Sequence, residues 1–138
     1  MKLQTILQYN DIFKNLIDNA KDINALTKFK LLGLVKQFEP YVANYEIIRQ
    51  DKIRQYGTEQ EDGSIAITPP DKDKFENDED YEAAEASFKE SIDAFTASLN
   101  ELAQSEIDIN IKKFKVDEII DTGIPADYLV LLYDFIEV

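Results

Sequence analysis

Two long stretches of this sequence repeat apolar residues at steps of three and four positions, and this repeat constrains the fold more than any other feature. The first seam consists of Leu31, Leu34, Phe38, Tyr41, Tyr45 and Ile48. The second consists of Tyr81, Ala84, Phe88, Ile92, Phe95, Leu99 and Leu102. Such spacing brings the apolar side chains to one face of an α-helix. We therefore predict two long amphipathic helices that pack against each other in an antiparallel hairpin.

The N-terminal residues predict a short strand followed by capped helices. Apolar and polar residues nearly alternate over Leu3–Leu7, which permits a strand. Either Asn10 or Asp11 can then cap a first helix, and Asp22 or Asn24 can start the helix that carries the first seam.

Pro40 and Gly33 interrupt the first seam. Proline removes a backbone donor and clashes with the preceding turn, but the apolar spacing continues across Pro40. We expect a kinked helix or two abutting helices there. Gly33 has two open interpretations, a weak point in the helix or a position of close helix approach.

A small hairpin is predicted after the first seam helix. Gly57 suits a left-handed helix cap, and Asp62-Gly63 is a hairpin turn signal. Ile65 and Ile67 alternate as in a strand, which Pro69-Pro70 would end.

The C-terminal region predicts a strand and a last helix. Apolar Ile107, Ile109 and Ile111 alternate strictly with polar residues. The mate of this strand could be Leu3–Leu7, the Ile65 segment or a second subunit. Val116–Ile120 is compatible with a helical turn. Pro125 can begin a final helix that is apolar almost all round.

The predicted fold class is mainly α with a small β element: a long antiparallel helical hairpin, a short two- or three-stranded sheet and a C-terminal helix. We expect a single domain over 1–138. Its parts are an N-terminal strand and helices (1–57), an acidic hairpin and loop tip (58–80), a long helix (81–104), and a strand with the C-terminal helix (105–138).

The composition argues against most catalytic chemistry. The chain has neither Cys nor His, which removes thiol and imidazole catalysis and most transition-metal sites. The acids from Asp71 to Glu82 superficially match a calcium loop, but Phe75 and Glu76 stand where an oxygen ligand and the turn glycine belong. A metal-dependent hydrolase that uses only carboxylates has no positive support. We expect no enzyme activity, no cofactor and no metal.

The start of the chain lacks the pattern of a signal peptide, and no apolar run approaches a membrane span. We therefore expect a protein that is neither secreted nor membrane-bound.

Acidic residues are concentrated in the middle of the chain. The net charge is −13, and residues 59–90 hold twelve acids against three lysines. Such a surface repels nucleic acid and membranes and attracts basic proteins. The candidate residues of this acidic tip are Asp71, Asp73, Glu76, Asp78, Glu79, Asp80, Glu82 and Glu85.

The other end of the chain favours self-association, because its strand needs a mate and its last helix is apolar on most sides. The candidate residues are Ile107, Ile109, Ile111, Leu129, Leu132, Tyr133 and Ile136. We expect a homo-oligomer that contacts other proteins.

Several segments together resemble an uncharacterised family of small acidic proteins of tailed bacteriophages. They are Arg54-Gln55-Tyr56-Gly57, Glu61-Asp62-Gly63, Glu106-Ile107-Asp108-Ile109 and the ending Asp134-Phe135-Ile136. The resemblance implies a phage origin and a place in the virion or the host cytoplasm, and it carries over no catalytic residues.

Two functions are therefore expected. The first is a non-enzymatic phage accessory protein, associated with the virion or its assembly, that self-associates. The alternative is an acidic inhibitor that mimics nucleic acid and occupies a basic groove of a host defence or nucleic-acid-binding protein.

Overall fold

The structure is a computed structural model that describes residues 1–137, and it is mainly α-helical with small β elements, as predicted. The helices are α1 (Leu3–Asn19), α2 (Ala25–Tyr56), α3 (Asp78–Ala103) and α4 (Ala126–Leu131). The strands are β1 (Thr58–Glu59), β2 (Ile65–Ala66), β3 (Phe114–Lys115) and β4 (Ile136–Glu137). Short 3₁₀ turns cover Lys72–Lys74, Val116–Glu118 and Tyr133–Phe135.

The chain divides into two compact units. The terminal unit comprises Met1–Ala43 and the chain from Glu106 onward, and the central unit comprises Asn44–Ser105. Helix α2 supplies residues to both units.

Helix α1 begins at Leu3, so the predicted strand over Leu3–Leu7 is wrong. Leu3, Ile6, Phe13 and Leu16 are buried along one face of the helix. Their spacing is helical from Leu3 onward, and it outweighs the alternation of a five-residue window. The two predicted caps, Asn10 and Asp11, both lie inside the helix, and Asn10 is buried.

The core of the terminal unit contains the first half of the first seam. Leu31, Leu34 and Phe38 are buried in one cluster with side chains of α1 and of the C-terminal segments, including Phe13 and Phe135. The seam was predicted to pack on the second long helix. Its first half is buried against these other partners because α1 and the C-terminal segments present complementary apolar faces.

Helix α2 begins directly after Asn24, which is one of the two residues predicted to cap it. The Asn24 side-chain oxygen accepts a hydrogen bond from the Thr27 backbone N–H at 2.9 Å. The helix then continues through Pro40 to Tyr56 as one element, so of the two predicted arrangements the pair of abutting helices is wrong. A Cβ added to Gly33 would meet nothing within 4 Å, so this glycine makes no close helix approach within residues 1–137.

A tight turn over residues 119–123 is held against the start of α2. The Thr122 hydroxyl donates to the Ile119 carbonyl at 2.7 Å, and the Thr122 carbonyl accepts from the Asn24 N–H at 2.8 Å. Gly123 has a φ of +90°, and a Cβ on it would lie 1.8 Å from the Asp22 carbonyl oxygen. Only glycine fits this position.

The predicted strand at Ile107–Ile111 is also wrong, because these residues are irregular. Ile107 exchanges two backbone hydrogen bonds with Met1, and no longer ladder forms since the residues after Lys2 are helical. The alternation nevertheless predicts exposure correctly: the three isoleucines are half-buried against the core. The parallel pair formed by β3 and β4 lies further along the chain.

The central unit contains the predicted hairpin. Strands β1 and β2 are antiparallel, and Gly63 in the turn has a φ of +85°. Gly57 is not a left-handed cap. Its missing side chain instead leaves room for Ile53 and Ile65, since a Cβ would lie 2.5 Å from the Ile53 oxygen and 2.9 Å from the Ile65 Cγ2.

Helix α3 is capped by Asn77, whose side-chain oxygen accepts from the Asp80 N–H at 2.8 Å. The acids Asp78, Glu79 and Asp80 occupy its first turn, where their negative charges interact favourably with the helix dipole. No residue of α3 is buried, so its apolar face is only half covered.

Candidate interaction surfaces

The C-terminal segment of the terminal unit has an anchored side and an open side. Leu132 and Phe135 are buried at 0% and 2% exposure. Val130 and Tyr133, next to them in the sequence, are 76% and 67% exposed. A six-residue helix followed by a 3₁₀ turn cannot bury all of its apolar side chains, and the remainder point outward.

An aromatic cluster fixes the anchored side. The Phe135 ring lies edge-on to Tyr9 with the ring centroids 4.4 Å apart, and edge-on to Phe13 at 5.2 Å. Phe13 in turn stacks on Phe38 at 6.0 Å. These rings tie the C-terminal segment to α1 and α2, and such pairs stabilise packing beyond the area that they bury.

Tyr9 and Asp134 form the polar contact at this junction. The Tyr9 hydroxyl donates to an Asp134 carboxylate oxygen at 2.8 Å. Burial of the phenol, this hydrogen bond and the negative charge of Asp134 together raise the pKa of Tyr9 to about 12. The Tyr9 phenol therefore keeps its proton, and this hydrogen bond, well above physiological pH.

A groove of about 860 Å³ runs between α1 and this segment. We call it the C-terminal groove. Its lining residues are Thr5, Gln8, Tyr9, Ile12, Leu129, Val130, Leu131, Tyr133 and Asp134.

Of the residues predicted for self-association, Leu129 and Tyr133 line this groove. Leu132 is wholly buried, so its prediction as a contact residue is wrong. The isoleucines Ile107, Ile109, Ile111 and Ile136 are half-buried against the terminal core, and they contribute chiefly to the stability of that core. The structure therefore brings two of the seven predicted residues to one open surface.

The eight predicted residues of the acidic tip are all exposed. They lie on the loop before α3 and on the first turns of that helix. Within the ion pairs of residues 1–137, none of the eight has a lysine or arginine partner. The central unit carries sixteen acids and six bases, a net charge of −10. The tip is an open surface of net negative charge, since only Lys72 and Lys74 lie among these acids.

No group of three or more Asp or Glu side chains converges to hold a metal ion in the part of the chain that the structure describes. Within that same part, no helix is both long and apolar enough to cross a membrane.

One exposed apolar surface was not predicted. Leu26 and Phe29, on the first turns of α2, are 64% and 74% exposed. The two residues lie three positions apart and outside the seam. This spacing places them on one face of the helix, and it could have predicted the surface from the sequence.

No protein-family model, curated protein or solved structure matches this chain.

Proposed function

We propose that this chain is a non-enzymatic interaction protein that self-associates through the C-terminal groove. The observation that carries the proposal is the exposed apolar rim of Val130 and Tyr133 beside the groove floor of Ile12 and Leu129. A protrusion next to a concave surface can be self-complementary, so that two copies insert their rims into each other around a two-fold axis. Aromatic residues are also enriched in such contacts.

The charge of the terminal unit favours contact between identical chains. This unit carries twelve acids and nine lysines, a net charge of −3, against −10 for the central unit. Two copies therefore repel each other less through their terminal units than through their central units. A homodimer is the smallest assembly that this arrangement supports.

The biological setting rests on the resemblance to tailed-phage proteins. We propose an accessory role in the virion or in its assembly, with other virion proteins as partners. Mass spectrometry of purified particles tests this setting. The protein should be present at a fixed ratio to the other particle proteins, and its absence from purified particles would contradict a virion role.

Light scattering coupled to size exclusion tests the self-association. We expect the wild-type chain to elute at a multiple of its 15.9 kDa mass. The double variant Val130→Ser with Tyr133→Ser should shift to the mass of one chain. The matched control, Leu26→Ser with Phe29→Ser, removes two equally exposed apolar side chains elsewhere in the terminal unit and should keep the wild-type mass. A monomeric wild type would contradict the proposal.

The exposed acidic tip favours a second candidate function, an acidic inhibitor of a basic host protein. Its support is the set of eight exposed carboxylates without cationic partners among residues 1–137. Capture of host proteins on immobilised chain should then recover a nucleic-acid-binding protein, and DNA should compete for it. Binding that is insensitive to both DNA and salt would exclude this function.

A further inference from the structure

Helix α3 forms one wall of a second groove, within the central unit, whose apolar floor neither proposed function uses, although its rim residues Glu82 and Glu85 belong to the acidic tip. The groove has a volume of about 490 Å³ and lies between α3 and the segment that follows β2. Its apolar lining consists of Pro69, Pro70, Tyr81, Ala86, Phe88 and Ile92. Its charged lining consists of Glu82, Glu85 and Lys89. We call it the α3 groove.

Specific side-chain contacts and two prolines hold the walls of the α3 groove in place. Phe75 packs edge-on against Tyr81 with the ring centroids 5.9 Å apart, and the Lys72 ammonium lies 5.9 Å from the centre of the same Tyr81 ring. Two consecutive prolines form the facing wall, and their fixed φ angles limit its motion. Preformed walls reduce the ordering cost of binding.

The charges at the groove define what can occupy it. Glu82 and Glu85 are exposed and lie three residues apart on α3, so they project from the same side of the helix. Lys89 is the sole basic lining residue among those described. An apolar floor with an acidic rim, on a unit of net charge −10, is complementary to an occupant that carries both apolar and basic side chains.

We propose that the α3 groove binds a basic amphipathic helix of a partner protein. The lining extends along α3 from Tyr81 to Ile92, about 16 Å or three helical turns. A helix of that length can place apolar side chains at i, i+3 and i+7 on the groove floor and lysines or arginines against Glu82 and Glu85. A nucleic-acid mimic would present charge alone and would need no apolar floor.

A synthetic peptide supplies the probe. It is a helix of about 14 residues with leucine at i, i+3, i+7 and i+10 and lysine at the flanking positions, since shorter helices are marginal in water. A second peptide of the same composition has its order scrambled so that no apolar face forms. We expect the full chain to bind the amphipathic peptide about tenfold more tightly than the scrambled one, measured by fluorescence anisotropy.

Charge reversal at the rim locates the binding. Glu82→Lys with Glu85→Lys should weaken binding of the amphipathic peptide by about tenfold or more. The matched control is Glu90→Lys with Asp93→Lys, which changes the charge of the same helix equally at two exposed positions outside the groove lining. That control should retain binding to within about threefold. Equal weakening by both pairs would overturn the proposal in favour of unspecific attraction to acidic surface.

Blocking the floor provides a second route. Ala86→Lys places a long cationic side chain in the groove and should abolish the preference for the amphipathic peptide, whereas Ala83→Lys, exposed on the same helix outside the lining, should preserve it. If Ala86→Lys retains the preference, the groove is not the binding site. Light scattering of these variants reports self-association separately, so failure here and failure of the proposed self-association are distinguishable.

Discussion

Two glycines face opposite environments, and their alanine variants should move stability in opposite directions. Gly123 combines a left-handed φ with the close approach of the Asp22 carbonyl. Gly123→Ala should therefore lower the free energy of unfolding by at least about 2 kcal/mol. Gly33 is helical with open space around it, so Gly33→Ala should raise the free energy of unfolding by about 0.5–1 kcal/mol. Urea denaturation followed by circular dichroism measures both.

The pair is its own control, because each substitution adds the same methyl group. A stabilising Gly123→Ala would mean that the turn over residues 119–123 does not pack on Asp22. A destabilising Gly33→Ala would mean that something covers this face of α2 in solution.

The raised pKa of Tyr9 predicts that the stability of the fold depends on pH in the alkaline range. Its pKa is raised from 10.0 to about 12 by burial, then by the hydrogen bond and the charge of Asp134. A raised pKa in the folded state favours the protonated phenol, so its stabilisation is complete below pH 10 and is lost as pH rises towards about 12. Tyr9→Phe should flatten the fall in Tm between these pH values.

The control for Tyr9 is Tyr45→Phe, which removes a tyrosine hydroxyl of α2 that lies outside both grooves. Thermal melts across the alkaline range should show the wild-type slope for this variant. An unchanged slope in Tyr9→Phe would mean that the phenol ionises in the folded chain as easily as in the unfolded one.

At the scale of the elements, helix α2 contains Pro40 in its interior, where a proline is expected to destabilise the helix. Pro40 is exposed and lies inside a continuous helix, where it cannot donate to the Lys36 carbonyl and its ring crowds that oxygen. Pro40→Ala should restore the hydrogen bond and raise the free energy of unfolding, by up to about 3 kcal/mol. Pro125→Ala, at the N-cap of α4, should give no such gain. Urea midpoints that are equal for wild type and Pro40→Ala would show that α2 already accommodates the proline without cost.

Apart from the start of α1, the elements that depend on local sequence were predicted, and those that depend on distant partners were not. The two long helices and the Asp62-Gly63 turn follow from apolar spacing and turn chemistry alone. The Ile107–Ile111 alternation predicted the buried faces, but whether a strand forms depends on a mate elsewhere in the chain.

The candidate surfaces follow the same rule. The acidic tip could be predicted because runs of charge are exposed in almost any fold. The self-association residues could be predicted only as a group, since a short helix that is apolar nearly all round does not reveal which side faces the core. The buried side includes Leu132 and Phe135, and Phe135 packs on the distant residues Tyr9 and Phe13.

At the scale of the whole molecule, the net charge is concentrated in one unit, whereas each unit has a groove with apolar lining. The central unit carries most of the net charge of −13 and contains the α3 groove with its acidic rim. The terminal unit is nearly balanced and contains the C-terminal groove. The two grooves therefore differ in the force that should dominate binding at each.

Salt should act on the two grooves with opposite sign. Self-association at the C-terminal groove buries apolar surface while it brings together two acidic chains, and salt screens their repulsion. Raising NaCl from about 0.05 M to about 0.5 M should therefore tighten self-association severalfold, measured by sedimentation equilibrium. Over the same range, binding of the lysine-rich peptide at the α3 groove should weaken, because there salt screens an attraction. The Val130→Ser, Tyr133→Ser variant should stay monomeric at every salt concentration. Self-association that weakens with salt would place its contact between opposite charges and away from the C-terminal groove.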